Sequence, residues 1–138
     1  MLMQPYIFFK NNCAEAMRFH EKTLDGKLEM MPFKNMPDFA TQFPPEMAEL
    51  VMHARLTVGD QVLMASDNGS PMPYEGMKGF SVTLSYPDVA EAERVIEALS
   101  DGGEITMPFG ETFWVERFGM LKDRFGTPWF INGGKAKV

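Results

Sequence analysis

Ala14-Glu-Ala-Met-Arg18 and Ala90-Glu-Ala-Glu-Arg94 share four of five residues at a separation of 76 positions. The same offset carries Gly26 onto Gly102 and Met31-Pro-Phe33 onto Met107-Pro-Phe109, with no gap between the three matches. A register held over that length marks an internal repeat, which fixes the reading of everything around it. The chain is one domain, 1–138, made of a first module over residues 1–66, a linker over 67–78 and a second module over 79–134.

Working outward from the matched segments, each half reads as strand, helix and three strands. Tyr6 to Phe9 is a short apolar strand, and Asn11-Asn12 are candidate N-caps for a helix from Cys13 to Leu24 that Gly26 would end. Its apolar stripe is Cys13, Ala16, Met17, His20 and Leu24. In the second half, Phe80 to Ser85 is the strand and Asp88 with Glu91 gives a start of the capping-box kind. Val89, Ala92, Val95, Ile96 and Leu99 form the buried face of that helix before Gly102-Gly103. A strand through Met-Pro-Phe follows each helix. The first half then has Leu50 to Val58 and Gln61 to Ala65, joined at Gly59-Asp60. The second has Glu111 to Leu121 and Trp129 to Ile131, with Asp123-Arg-Phe-Gly126 as the turn. Lys34 to Glu49 is an insertion carrying Pro37, Pro44 and Pro45 beside Met36, Phe39, Phe43 and Met47. Such apolar residues on a proline-broken loop predict a pocket lid or a subunit contact.

Length and composition narrow the classes of function. A chain of 138 residues can bury a core without disulfide or metal staples, and 45% hydrophobic with 23% charged residues is ordinary for a globular protein. Thirteen Lys and Arg against nineteen Asp and Glu leave a net charge of −6 and no basic stripe, which argues against a nucleic-acid partner. No apolar run reaches membrane-spanning length and the first ten residues lack a signal pattern, so a cytoplasmic protein with no membrane partner is expected. The single Cys rules out an internal disulfide. The thirteen Met residues read chiefly as soft core filler.

Two βαβββ modules in tandem resemble the vicinal oxygen chelate superfamily, which includes glyoxalase I, extradiol dioxygenases and the bleomycin- and fosfomycin-resistance proteins. Pro5-Tyr-Ile-Phe-Phe9, Asn12-Cys-Ala-Glu-Ala16, Met52-His-Ala54 and Leu63-Met-Ala-Ser-Asp67 are similar to its PhnB-like branch. So, most specifically, are Glu111-Thr-Phe-Trp114, Asp123-Arg-Phe-Gly126 and Pro128-Trp-Phe-Ile-Asn132. That branch also carries the description 3-demethylubiquinone-9 3-methyltransferase. The resemblance implies an α+β fold in which the modules form a curved, cleft-like mixed sheet with helices on its convex side, a homodimer, and small-molecule binding. Superfamily metalloenzymes take a ligand from the first and last strand of each module. The resemblance puts those positions at Pro5, Met64, Ser81 and Phe130, which are no set for a divalent cation. No metal site and no cofactor are therefore expected, and a divalent metal would need ligands elsewhere. The methyltransferase description finds no support in a glycine-rich strand-to-helix loop followed by an acidic residue.

Strand alternation nominates the residues facing the cleft. Phe80, Val82 and Leu84 are apolar where Ser81, Thr83 and Ser85 are polar, so the polar set lines the cleft. The repeat places Ile7 and Phe9 beside them, and alternation of Leu50 to Val58 adds His53, Arg55 and Thr57. His53 beside Arg55 can bind an anion or act as a general base, or serve as a strand histidine at the sheet surface. Glu111 and Glu116 are acid–base candidates if an aromatic environment raises their pKa. Trp114 and Trp129 can stack on a flat ligand or fill core. Cys13 at a helix start reads as a buried thiol, and His20 as a core residue. The expected ligand-binding set is Phe9, His53, Arg55, Ser81, Thr83, Trp114 and Trp129, for a small apolar or aromatic, anionic molecule. Two other readings stand beside binding. One is a lyase, isomerase or dioxygenase-like enzyme using a relocated metal or His53 with Glu111 or Glu116; the other is a purely structural or interaction protein.

Overall fold

The structure, a computed structural model, describes residues 1–69 and 73–138; Ser70, Pro71 and Met72 of the expected linker lie outside them. Two compact units, Met1–Gly76 and Met77–Val138, each carry a long helix and a four-stranded mixed sheet. The class is α+β, with the strand-helix-strand-strand-strand order expected of each half.

In the first unit β1 (Tyr6–Phe9), α1 (Cys13–Leu24), β2 (Lys27–Pro32), β3 (Val51–Val58) and β4 (Gln61–Asp67) follow one another. The sheet order is β1-β4-β3-β2, with β1 parallel to β4 and the other pairs antiparallel. Ile7, Phe9, Ala54, Leu56, Leu63 and Ala65 are buried on the face covered by α1, against Cys13, Ala16, Met17 and His20. The insertion folds back on itself. Phe33 N–H donates to Leu50 O and Lys34 N–H to Ala48 O, and a one-turn helix α2 (Phe39–Gln42) stacks Phe39 on Phe43, which meets Phe33 at 5.2 Å.

The second unit holds β5 (Val82–Tyr86), α3 (Val89–Ser100), β6 (Glu104–Gly110), β7 (Val115–Lys122) and β8 (Pro128–Ala136), in the order β5-β8-β7-β6. β5 is parallel to β8. Ala92, Val95, Ile96 and Leu99 of α3 bury against the sheet face that carries Leu121, Trp129 and Ile131.

Several local expectations are revised, each for a physical reason. The two modules do not share one offset throughout. Three residues, Lys10 to Asn12, separate β1 from α1, whereas only Pro87 and Asp88 separate β5 from α3. The extra residue is taken up by Asn11 in the left-handed region, φ 67°. The helices are therefore related by 76 and the first strands by 77, which reverses the faces that a single offset gave β1: Ile7 and Phe9 face the core, and Tyr6 and Phe8 face away from the helix. Asn12 makes no side-chain cap. Asp67, 54 residues on, accepts the Cys13 N–H at 3.0 Å instead. Asp25, not Gly26, takes the left-handed position that closes α1, and Gly26 is needed for space, because a Cβ there would come within 2.8 Å of Leu56 and the Thr57 carbonyl. Glu91 pairs with Arg94 at 2.7 Å, while Asp88 alone caps α3 by accepting the Ala90 N–H. β7 starts at Val115, so Glu111 to Trp114 form the turn after β6, and β4 runs through Asp67 into the expected linker.

Two carboxylates lock these units. Asp67 is 3% exposed and accepts Cys13 N–H and, through its other oxygen, Val51 N–H at 2.8 Å, tying the start of α1 to the start of β3. Asp123, equally buried, accepts Phe125 N–H, Thr127 N–H and the Trp129 indole N–H, the last at 2.8 Å. Replacing Asp67 by Ala leaves two buried donors unmet and should lower stability by about 3 kcal/mol in urea denaturation, with Asp67→Asn costing less; an unchanged midpoint for the Ala variant would contradict this account.

Cys13 is fully buried, and burial, reinforced by the nearby negative charge of Asp67, pushes its thiol up from 9.0 to about 12. A raised thiol pKa means that the neutral form contributes stability below pH 9 which is lost as pH rises from there through about 12. At pH 8 the folded protein should therefore react with an aromatic disulfide reagent far more slowly than the denatured chain, and Cys13→Ala should flatten the alkaline limb of the stability curve. Equal reaction rates for native and denatured protein would refute the assignment.

Candidate functional site

Each sheet has a second face, opposite its long helix, and the nominated residues are tested by where they fall on it. In the first unit this open face is built from alternate residues of four strands: Tyr6 and Phe8, Met64, His53 and Arg55, and Glu29 and Met31. The Tyr6 hydroxyl lies 3.4 Å from His53 Nδ1, with the two rings 5.7 Å apart, and Tyr6 meets Phe8 at 5.1 Å. The Tyr74 hydroxyl donates to Phe8 O at 3.0 Å, holding the end of β1. Arg55 sits opposite Met64 on one side and Glu29 on the other.

Exposure on this face is unusual for its residue types. Phe8 is 52%, Tyr6 39% and Met31 38% exposed around the imidazole. Covering one such side chain is worth roughly 1.5 to 3 kcal/mol, so a flat apolar molecule laid here gains from desolvation alone. The Tyr6 hydroxyl lies within reach of Nδ1, and the imidazole together with the Arg55 guanidinium offers donors to an oxygen-bearing ligand.

The open face of the second unit carries Thr83 and Ser85 on β5, Phe130 and Asn132 on β8, and Phe118 and Met120 on β7. Trp114 meets Phe118 at 5.2 Å and Phe118 meets Phe130 at 5.4 Å, both edge to face, and Phe113 extends the row. Ser81 precedes β5 and is half-buried.

His53, Arg55, Thr83 and Trp114 thus sit on or beside open faces, as alternation and aromatic content led one to expect. Phe9 and Trp129 do not. Phe9 is 1% exposed beneath α1 because of the extra residue after β1, and Trp129 is completely buried with its N–H committed to Asp123. Neither presents surface to a ligand. The residues that alternation missed are Tyr6 and Phe8, and the signal for them was available: the loop before each helix differs in length by one. Met31 also escaped notice, since its role depends on the cross-strand partner His53.

The carboxylate candidates also change character. Glu111 is fully exposed, and its hydrogen bond from Lys137, followed by the charges of Lys137 and Arg117, lowers its pKa, the reverse of what a general acid needs. Glu116 accepts the Lys135 N–H at 3.1 Å and packs against Gly134, a backbone-holding role at a bulge between β7 and β8. His20 is buried in the core beside Phe19.

The positions that hold metal in superfamily enzymes can be tested by donor chemistry. Register puts Tyr6, not Pro5, opposite Met64, and Thr83, not Ser81, opposite Phe130. A thioether and a phenyl ring on the last strands, facing a phenol and an aliphatic hydroxyl, do not match a divalent cation's need for imidazole, carboxylate or thiolate. Among the described residues no group of three or more His, Cys, Asp or Glu comes together. No helix among them is long and apolar enough to cross a membrane.

Comparison with known proteins places the fold and the sequence together. A family model described as 3-demethylubiquinone-9 3-methyltransferase matches residues 2–132. Protein YjdN of Escherichia coli (strain K12) is 33% identical over 140 residues, covering 96% of this chain and 95% of YjdN. The crystal structure of protein PA1353 from Pseudomonas aeruginosa superposes with a TM-score of 0.89 at 45% identity, covering 97% of this chain and 98% of that one. A glyoxalase/bleomycin resistance protein/dioxygenase family enzyme from Burkholderia phytofirmans PsJN shares the fold at a TM-score of 0.66 and 13% identity, over 96% of this chain and 97% of its own. With a match running nearly end to end, the chain belongs to the 3-demethylubiquinone-9 3-methyltransferase family, and its fold is one shared with a glyoxalase/bleomycin resistance protein/dioxygenase family enzyme.

Proposed function

We propose that this protein binds a small apolar or aromatic molecule carrying an anionic group, on the open face of its first unit, without a metal. The observation that carries the reading is the Tyr6–His53 contact set among exposed Phe8 and Met31 with Arg55 on the same strand face. Rings and methionine supply contact area, and the imidazole and guanidinium supply donors for an oxyanion. Sequestration or transport asks nothing further of the site. Catalysis by His53 paired with Glu111 or Glu116 is less well supported, since one carboxylate is tied to Lys137 and the other to backbone.

Methyl transfer, which the family description names, would need a cradle for S-adenosylmethionine. The adjacent glycines do not provide one. A Cβ on Gly102 would press on the Arg124 side chain and one on Gly103 would collide with the Lys122 carbonyl, so both glycines serve the close passage of chain between α3 and β6. The sheets, each with a single parallel pair, also lack the parallel strands that present a nucleotide at a switch point.

A calorimetric titration with 2-naphthoate should show saturable binding that Arg55→Ala weakens about tenfold and that falls as ionic strength rises. Thermal unfolding should shift upward with the same probe. Absence of any heat or shift at millimolar probe would sink the proposal. The homodimer implied by the family is part of the same reading, and sedimentation equilibrium should return twice the chain mass at micromolar concentration; a monomer would remove it.

A further inference from the structure

We infer that the slot between residues 2–4 and the start of β4 is a second binding site, one that takes a small primary alkylammonium. It lies in the plane of the first sheet rather than on either of its faces, and it does not depend on the proposed site around His53.

The slot exists because a proline ends a ladder. β1 and β4 run parallel with Tyr6 opposite Met64, so Pro5 stands opposite Leu63. In a parallel pair a bonded residue accepts from the residue after its partner and donates to the residue before it. Pro5 does the first, its carbonyl taking the Met64 N–H at 3.1 Å, and lacks the N–H for the second. The Val62 carbonyl, next in line, therefore receives nothing from Pro5. Nor does it turn to β3. The Val58–Gln61 pair that closes the two-residue hairpin exchanges both ladder bonds, so the next pair, Thr57–Val62, exchanges none and the Val62 C=O points toward residues 2–4. Before Pro5 the chain parts from β4 and leaves a cavity of about 140 Å³ lined by Leu2, Met3, Gln4, Asp60, Gln61 and Val62.

The chemistry of this lining is that of an acceptor site. The tight turn Gly59-Asp60, with Gly59 at φ 62°, fixes Asp60 at the end of the slot. Asp60 is the only charged side chain of the lining, and it accepts hydrogen bonds, as does the Val62 carbonyl. Among the described residues, the side chains of Gln4, Asp60 and Gln61 make no hydrogen bond or ion pair. An ammonium carries three donors and no acceptor, which matches a carboxylate, a backbone carbonyl and one carboxamide oxygen. The glutamine amides can turn either way, so the ligand class rests on Asp60 and Val62 alone. An anionic ligand would meet Asp60 with no counter-charge in the lining, and a neutral one would forgo the charge-assisted bond. Leu2 and Met3, 80% and 89% exposed, are left to cover an apolar stem. A cavity of roughly 150 Å³ holds a molecule the size of benzene, which limits that stem to about four carbons.

The probes are n-butylammonium, 1-butanol and butyrate, which share a stem and differ in the head group, followed through the backbone amide signals of residues 59–62 in a nitrogen-edited NMR spectrum. n-Butylammonium should shift those signals saturably at millimolar concentration and bind about fivefold more tightly than 1-butanol, with butyrate weaker than either. Asp60→Asn should bring the ammonium and the alcohol together. Pro5→Ala supplies the missing N–H to the Val62 carbonyl and should weaken n-butylammonium by a similar factor while leaving Asp60 in place. The inference fails if n-butylammonium gives no saturable shift at these amides, if the alcohol binds as tightly as the ammonium, or if either variant binds the ammonium as the unaltered protein does. The head-group comparison on unaltered protein decides the matter even where a variant folds poorly.

Discussion

Burying a carboxylate is costly unless every lone pair that faces the interior finds a donor, and this chain meets that condition once in each unit. Asp67 does it with backbone N–H groups from two remote segments, the first turn of α1 and the first residue of β3. Asp123 does it within one turn and one indole. The helix-to-sheet packing of the first unit depends on the former, because that bond decides where α1 begins and therefore which of its faces meets Ala54 and Leu56. The thiol of Cys13 is held neutral partly as a side effect of the same charge.

The two units share a scaffold and differ in how the open face is decorated. Where register in the first unit sets Tyr6 beside Met64, the second sets Thr83 beside Phe130. Aromatic groups therefore occupy the edge strand of one sheet and the inner strands of the other. The charged and titratable residues, His53, Arg55 and Glu29, belong to the first face, and the second is neutral at its centre. A duplicated fold has thus been given two chemistries without altering strand order or the helix that backs each sheet.

Much of this was legible in the sequence, and the reason lies in periodicity. Helical stripes such as Ala92, Val95, Ile96 and Leu99 and the alternation of β3 carry strong signals, so the spans of α1 and β1 and the placing of His53 and Arg55 on the sheet face away from α1 match the reading. What failed depended on long-range contact or on counting across a gap. No local pattern tells that Asp67 replaces Asn12 as the cap of α1, or that Trp129 surrenders its N–H to Asp123 and sinks into the core. The face of Phe9 was misassigned for a different reason: a repeat offset is a property of a segment, and the offset proved on the helices did not extend across the loop before them.

That loop has a meaning for how such proteins diverge. Because side chains alternate along a strand, a residue gained between β1 and α1 would turn β1 over unless the loop took it up, and here the loop does so: Ile7 and Phe9 point toward the helix, as Leu84 does in the second unit. Asn11, in its left-handed turn, is the residue that absorbs the difference. A duplicated scaffold can in this way accept a one-codon change of length beside its first strand without losing its core, which leaves the outward residues of each copy free to diverge by substitution.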